Sequence, residues 1–136
     1  MNPSVDYIFL LSRLLLGLFF LMNGVNHFRN LQSLSEYAAS KKVAYPKVAV
    51  IVTGILLLCG GLSILLGVYP TIGVVFLTIF FIPVTFIMHN FWTIEDPHHR
   101  LLEQINFMKN MAIWAGTLLL LFIPQSQWIY YSLYPY

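Results

Sequence analysis

The stretch VAVIVTGILLLCGGLSILLGVYPTIGVVFLTIFFIPVTFIMHNFW, residues 48–92, decides the fold. It contains two apolar runs, each close to the ~20 residues that a helix needs to cross the ~30 Å hydrocarbon core of a bilayer. Only Tyr69 and Pro70 separate these runs. The two helices are therefore predicted to be antiparallel neighbours joined by a tight turn.

The composition extends this interpretation to the whole chain. Hydrophobic residues make up 59% of the 136 residues and charged residues only 9%, whereas a soluble domain carries about 25% charged residues. The predicted spans are 7–27, 47–68, 71–92 and 107–123. Because the runs are continuously apolar rather than alternating, helices fit better than strands of a β-barrel. The sequence predicts an all-α integral membrane four-helix bundle, a single domain over residues 1–136.

A short helix is predicted between the first two spans, within FRNLQSLSEYAASKKVAYP (28–46). Apolar residues recur there at helical spacing, at Phe28, Leu31, Leu34 and Ala38. Lys41 and Lys42 follow them. An amphipathic segment of this kind is typical of a helix that lies in the membrane interface.

The distribution of Lys and Arg predicts the orientation. Six basic residues belong to the face that carries the first and third loops: Arg29, Lys41, Lys42, Lys47, Arg100 and Lys109. Only Arg13 lies towards the other face, so the first and third loops are predicted to be cytoplasmic and both termini outside. The tail QWIYYSLYPY (127–136) would be an aromatic anchor there. A net charge of +2 gives no support for a nucleic-acid partner.

Polar residues from distant parts of the sequence fall at one membrane level in this topology. They are His27, His89, Asn90, Asn106, Lys109 and Asn110, with Asn23 and Asn26 within about a turn. Polar groups at such depth usually face the bundle interior and pair with one another, since lipid tails offer no partner. The layer near the cytoplasmic side is therefore the candidate site.

Helical spacing predicts which residues face inward. One stripe on the first helix contains Arg13, Gly17, Phe20, Gly24 and His27, and one on the third contains Thr78, Thr85, His89 and Trp92. Glycines on the first stripe allow close helix approach. Pro83 cannot donate to the carbonyl of Ile79, so a kink is predicted in the third helix.

Two interpretations of the histidines stay open. His27 and His89 could sit at the interface and bond water or a loop carbonyl. Alternatively, His89 with Asn90, Asn110 and Lys109 binds the polar head of an amphipathic ligand such as a quinone, whose carbonyl oxygens need donors. No metal site is predicted, because the nearby carboxylates, Glu95, Asp96 and Glu103, are assigned to a loop and show no tight ligand spacing.

Three other features of the spans also have alternatives. Arg13 could snorkel to lipid phosphate, reach Asp6 or bond a freed carbonyl, or it could bind an anionic or carbonyl-bearing ligand or a partner subunit from the outer side. Cys59, the single cysteine, is predicted to be a small buried hydrophobe. The glycines of the second helix predict a packing surface, which could equally support assembly with another chain.

Several segments together resemble the DoxX family of small four-helix bacterial membrane proteins, which belongs with the DoxD-like and MauE-like proteins. They are RLLLGLFFLMNGVNHF (13–28), GGLSILLGVYPTIG (60–73), MHNFW (88–92) and FMKNMA (107–112). Many members carry a glutamate four residues before the glycine that matches Gly61, where this chain has Leu57.

The resemblance implies a location in the bacterial inner membrane and association with a quinone-linked redox system. The chain would be a subunit or partner of a larger redox complex, or it would form a homo-oligomer. The alternative is a non-catalytic assembly factor or lipid-binding accessory subunit, since no motif for nucleotide, haem, flavin or nucleophilic catalysis is present. A transporter ranks last, because the outer half of the bundle offers only Arg13.

Overall fold

The computed structural model describes residues 3–129, with side chains from Tyr7 to Trp128. The described residues form helices and turns and no β-strand. The helices are α1 (Pro3–Arg29), α2 (Leu31–Ser40), α3 (Pro46–Leu66), α4 (Pro70–Pro83), α5 (Pro97–Leu119) and α6 (Gln125–Ile129). A π segment (Val84–Met88) and two 3₁₀ turns (Phe91–Thr93 and Leu120–Phe122) complete them.

Four stretches are long and apolar enough to cross a membrane, so the predicted four-span, all-α membrane protein is confirmed. They are Tyr7–Arg29, Pro46–Leu66, Pro70–Thr93 and Pro97–Phe122. The short helix predicted after the first span is also present as α2, which packs on α3 through buried Ser35 and Ala38. We call this end of the bundle the α2 end and the opposite one, with the α3–α4 connection, the turn end.

The fourth helix begins earlier than predicted. It starts at Pro97, ten residues before the predicted boundary at residue 107. The cause is local, because the Asp96 side chain accepts a 2.7 Å hydrogen bond from the backbone N–H of His99 and proline fits the first helical position. The predicted start was wrong, and residues 97–106 are helical rather than loop.

The helices pack as a row in the order α1, α3, α4, α5. Glycines allow the contact between α1 and α3, since a Cβ on Gly17 would lie 2.7 Å from Leu65 Cβ and one on Gly61 would lie 3.1 Å from Gly17 O. Small residues permit such close approach in membrane bundles. The predicted stripe from Arg13 to Gly24 is accordingly buried.

The connection between α3 and α4 is as short as the sequence predicted. Helix α3 ends at Leu66, Gly67 adopts a left-handed conformation (φ +70°), and α4 begins at Pro70. A Cβ on Gly60 would lie 2.6 Å from Leu77 Cγ, so the two antiparallel helices also meet at a glycine. The predicted packing surface of the second span thus contacts both of its neighbours. The core includes Phe20, Leu57, Ile64, Leu77, Phe80 and Phe81.

The irregularity predicted at Pro83 takes the form of a π segment. Regular α-helix stops at this proline, and residues 84–88 continue as π-helix before the chain leaves the helix at His89. Thr85 is fully buried in this segment. Trp92, by contrast, is 53% exposed in the following 3₁₀ turn, so it does not share the buried stripe as predicted. The change of helical period moves it to the surface.

Two residues lie differently from the sequence-based interpretation. Cys59 is exposed rather than buried, because it lies about 200° around α3 from the buried Leu57. Trp128, from the predicted aromatic anchor, is buried at 2% exposure. The remaining anchor residues, Tyr130, Tyr131, Tyr134 and Tyr136, lie outside the described residues, as does the side chain of Asp6.

Replacing Gly17 by alanine tests the close contact between α1 and α3. The new Cβ would meet Leu65 at 2.7 Å, so Gly17→Ala is expected to lower the free energy of unfolding by about 1–3 kcal/mol, the usual cost of overpacking. Gly116→Ala is the matched control, since its Cβ would meet nothing within 4 Å. Unfolding in mixed micelles, followed by circular dichroism, measures both. Equal stability of the two variants would contradict the contact.

Candidate functional site

The structure divides the predicted polar layer into separate groups. His89 and Asn90 join a cluster of ionisable side chains at the α2 end, whereas Asn23 and Asn110 line a cavity deeper in the bundle. Two others bond within their own helices. His27 Nδ1 lies 2.8 Å from the carbonyl oxygen of Asn23, and the exposed Lys109 donates to Asn106 at 3.1 Å. The layer is therefore not one continuous site.

The ionisable cluster is built around Glu103. This carboxylate is only 6% exposed, and both of its oxygens have partners. The Tyr37 hydroxyl donates to Oε1 at 3.0 Å, and His89 Nδ1 lies 2.6 Å from Oε2. A buried carboxylate is stable in such surroundings only when it is hydrogen-bonded in this way. We call Tyr37, His89 and Glu103, with the flanking Lys41, Asn90 and His99, the carboxylate cluster.

The carboxylate cluster connects three elements that are distant in sequence. Tyr37 comes from α2, His89 follows the π segment, and Glu103 comes from α5. Tyr37 also lies 3.1 Å from the carbonyl oxygen of Met88, at the end of the π segment. Lys41 adds a 2.9 Å hydrogen bond to Asn90. The cluster therefore attaches α2 to the outer helix of the row.

Burial and charge keep the Tyr37 hydroxyl protonated. Burial raises the pKa of Tyr37 most, and the hydrogen bond to Glu103 and the negative charge of Glu103 raise it further. Tyr37 therefore acts as a neutral hydrogen-bond donor to the carboxylate. His99 contacts Glu103 from the exposed side, with Nε2 lying 3.6 Å from Oε1, one helical turn away on α5.

Glu103 is the residue that the sequence interpretation missed. The apolar run alone places the start of the fourth helix at residue 107, which leaves Glu103 in a loop. The helix start at Asp96-Pro97 could have revealed it, since Glu103, Asn110 and Thr117 then recur every seven residues. Such spacing places them on one face of α5, about 10.5 Å apart along the axis. Glu103 and Thr117 are buried, and Asn110 is half-buried.

A cavity of about 60 Å³ lies between the two outer helices, α1 and α5, against α3 and α4. Its walls are Phe19, Phe20, Asn23, Leu57, Phe80, Phe81, Asn110 and Ile113, and we call it the asparagine cavity. The Asn23 amide donates a 2.7 Å hydrogen bond to the Phe19 carbonyl in its own helix. The Asn110 side chain makes no hydrogen bond within the described part of the chain. Its amide is thus available to a ligand.

Leu57 gives the asparagine cavity a neutral wall. It is 1% exposed and lines the same cavity as the two asparagines. None of the residues that line the cavity here is ionisable.

Arg13 links α1 to the end of α3 at the turn end. It is 1% exposed, so the predicted snorkelling to lipid phosphate was wrong. Its Nε and Nη2 donate 3.2 Å hydrogen bonds to the carbonyls of Ile64 and Leu65, at the end of α3. The alternative of bonding backbone carbonyls is the one observed, at a helix end where carbonyls lack regular intrahelical partners. The Ile64 carbonyl also accepts from the Gly67 N–H at 3.3 Å. The Arg13 guanidinium also lies 5.2 Å from the Trp128 ring centroid.

Metal binding has no structural support in the described residues. Within residues 3–129, no group of three or more His, Cys, Asp and Glu side chains could hold an ion. The two histidines beside Glu103 contact its carboxylate, with His89 Nδ1 at 2.6 Å from Oε2 and His99 Nε2 at 3.6 Å from Oε1.

The family model for DoxX matches residues 8–90, more than half of the chain. The chain belongs to the DoxX family. The matched region covers α1 to α4 and the π segment, and it includes Asn23, Leu57, His89 and Asn90. Helix α5, with Glu103 and Asn110, lies outside it. Comparison with curated proteins and with solved structures gave no match. Family membership and four apolar helices establish a multi-pass membrane protein.

Removing the hydroxyl group of Tyr37 tests whether the carboxylate cluster stabilises this DoxX-family protein. Tyr37→Phe leaves Glu103 Oε1 without its buried donor, so we expect the free energy of unfolding to fall by about 1–3 kcal/mol. Tyr45→Phe is the control, because Tyr45 is 82% exposed and is expected to change stability by less than about 0.5 kcal/mol. Detergent unfolding followed by circular dichroism compares them. A Tyr37→Phe variant as stable as Tyr45→Phe would show that the cluster does not stabilise the fold.

Proposed function

We propose that this DoxX-family protein binds the head group of a quinone in the asparagine cavity and serves as a partner or subunit of a quinone-linked redox system. The observation that carries the proposal is the combination of aromatic walls with the free amide of Asn110. A cavity with apolar walls and a few convergent polar groups is the usual form of a small-molecule site.

The chemistry of the cavity matches a neutral dicarbonyl ring. The Asn110 amide can donate to a quinone carbonyl oxygen, which only accepts hydrogen bonds. The Asn23 amide already donates to Phe19, which leaves its oxygen to accept from a quinol hydroxyl. Phe20, Phe80 and Phe81 supply ring surfaces, against which a flat head group packs favourably.

The size of the cavity requires some opening for the ligand. The cavity has a volume of about 60 Å³. An engineered protein cavity that accommodates benzene is larger, at about 150 Å³. Phe19 is on the lining of the asparagine cavity and is 42% exposed, so a rotation of this ring off Phe20, which it contacts at 5.4 Å between centroids, would enlarge the cavity. A head group would then enter sideways from the bilayer between α1 and α5, with its isoprenoid tail among the lipids.

The absence of ionisable groups on the cavity wall favours binding over chemistry by the chain itself. Electrons would come from a partner protein, which supports a role as subunit or partner rather than as an independent enzyme. The carboxylate cluster lies two helical turns from Asn110 on α5. It would hold α2 and α5 in place at the α2 end of the site.

An accessory or assembly role is the second candidate, and helix α5 favours it. Only 6% of the most apolar window of Pro97–Phe122 is buried inside the chain, against 33% for Pro46–Leu66. Gly116 on this helix also has open space around it. A helix so little covered could pack against another subunit or a second copy, with a lipid rather than a quinone in the cavity.

Quinone content of the purified protein tests the ligand. Wild type is purified in mild detergent, and bound quinone and lipid are extracted and quantified by mass spectrometry. Asn110→Leu is expected to reduce bound quinone about tenfold, the effect of losing about 1.4 kcal/mol, one hydrogen bond. The matched control is Gln104→Leu, which removes an exposed amide from the same helix outside the cavity.

Quinone retained equally in Asn110→Leu and Gln104→Leu would overturn the assignment of the cavity. Wild type that carries lipid but no quinone, and that copurifies with a larger oxidoreductase, would favour the accessory role instead. His89→Ala and Lys109→Ala extend the test to the rest of the predicted polar layer.

The proposal includes an orientation in a bacterial inner membrane, with the α2 end facing the cytoplasm. Arg29, Lys41, Lys42, Lys47 and Arg100 lie around that end, as the positive-inside rule requires. In a Cys59→Ala background, Lys42→Cys is expected to resist a membrane-impermeant maleimide in intact cells, whereas Gln125→Cys is labelled. Labelling of Lys42→Cys from outside would reverse the topology.

A further inference from the structure

A larger cavity, of about 330 Å³, lies at the turn end of the bundle. It is formed between the α3–α4 connection, from Tyr69 to Ile72, and the end of α5, with Gln125 and Trp128 of α6 completing the wall. We call it the turn-end pocket. It has no lining residue in common with the asparagine cavity and lies at the opposite end of the helices from the carboxylate cluster.

The most buried part of its wall is Trp128. This ring is 2% exposed and makes an edge contact with Phe9 at 5.0 Å between centroids. The Arg13 guanidinium lies 5.2 Å from its centroid, and Arg13 itself bonds the carbonyls at the end of α3. The indole is therefore held by two side chains of α1, one of which is bonded to the end of α3. A wall fixed in this way is preorganised for a ligand, because little side-chain freedom is lost on binding.

The remaining lining selects a neutral amphiphile. Leu120, Leu121 and Ile123 make one side apolar, and Thr71 and Gln125 supply a hydroxyl and an amide. None of the lining residues is charged, so an anionic head group would be desolvated there without a counter-charge, which is costly. A ring with carbonyl or hydroxyl groups instead finds both an apolar contact surface and hydrogen-bond partners.

The position of the pocket suits a ligand that resides in the membrane. One candidate span begins at Pro70 and another ends at Phe122, and both of these ends lie next to the walls of the pocket. It therefore lies where the apolar segments meet the interface, and Trp and Tyr are enriched at this level. A ring-headed lipid in that leaflet has its head group at the same depth.

We infer that the turn-end pocket is a second site for the neutral ring head of a quinone, separate from the asparagine cavity. The inference rests on the proposed function in taking the same class of ligand. The asparagine cavity lies at mid-depth, since its wall residue Leu57 is near the middle of α3, and the turn-end pocket lies at one end of the spans. The chain would therefore hold quinone at two depths of the membrane.

Trp128 provides a reporter for this second site. In a Trp92→Phe, Trp114→Phe background, Trp128 is the remaining tryptophan, and quinones quench indole fluorescence on contact. Titration with menadione, a tailless quinone, in mild detergent is expected to give saturable quenching. Gln125→Leu is expected to weaken the apparent affinity at least fivefold, and Gln127→Leu, which changes an amide outside the lining, is expected to leave it unchanged.

Asn110→Leu in the reporter background separates this inference from the proposed function. Quenching of Trp128 is expected to persist unchanged when the asparagine cavity is disabled. If the extracted quinone depends on Asn110 but Trp128 quenching is linear and unaffected by Gln125→Leu, the turn-end site is overturned while the first site stands. Quenching lost on Asn110→Leu would show a single site and would also overturn it.

Native mass spectrometry with the tryptophans intact covers the case in which the reporter background fails to fold. Menadione added to wild type is expected to give a bound adduct that decreases in Gln125→Leu and not in Gln127→Leu. A phospholipid adduct that depends on Gln125, with no quinone adduct, would assign the pocket to lipid and contradict the inference.

Discussion

The hydrocarbon core of a bilayer offers no hydrogen-bond partner, and this constraint organises the polar residues of the chain. Arg13 can remain in a span because the carbonyls of Ile64 and Leu65 accept from it. Glu103 can remain near the α2 end because Tyr37 and His89 occupy its two oxygens. Among the described residues, the Thr85 hydroxyl and the Asn110 amide make no such bond. Asn110 is the one of the two that lines a cavity, and the ligand site proposed above rests on it.

The glycine contacts of α3 determine where such a cavity can form. Gly61 brings α1 against one side of α3, and Gly60 brings α4 against the other. The helices consequently form a row with α1 and α5 as its outer members. Residues of both outer helices line the asparagine cavity, together with residues of α3 and α4. The small residues of α3 thus set the helix packing in which this cavity lies.

The neutral character of both cavities bears on what the protein can do. Leu57 gives the asparagine cavity an apolar wall, and none of the residues that line either cavity is charged. The buried carboxylate of Glu103 lies outside both cavities and has Tyr37 and His89 as its partners. The ligand proposed above, a neutral ring, agrees with linings of this kind.

The sequence alone determined the membrane class, the number of spans, the hairpin at Tyr69-Pro70 and the buried stripe of α1, because these follow from the length and period of apolar runs. It also gave the place of the irregularity at Pro83. Tertiary structure alone decided that Asn110 faces Asn23 across a cavity, that Glu103 is buried, and that Cys59 faces outward. Side-chain pairing across helices depends on their rotation and order in the row, which hydrophobic periodicity does not specify.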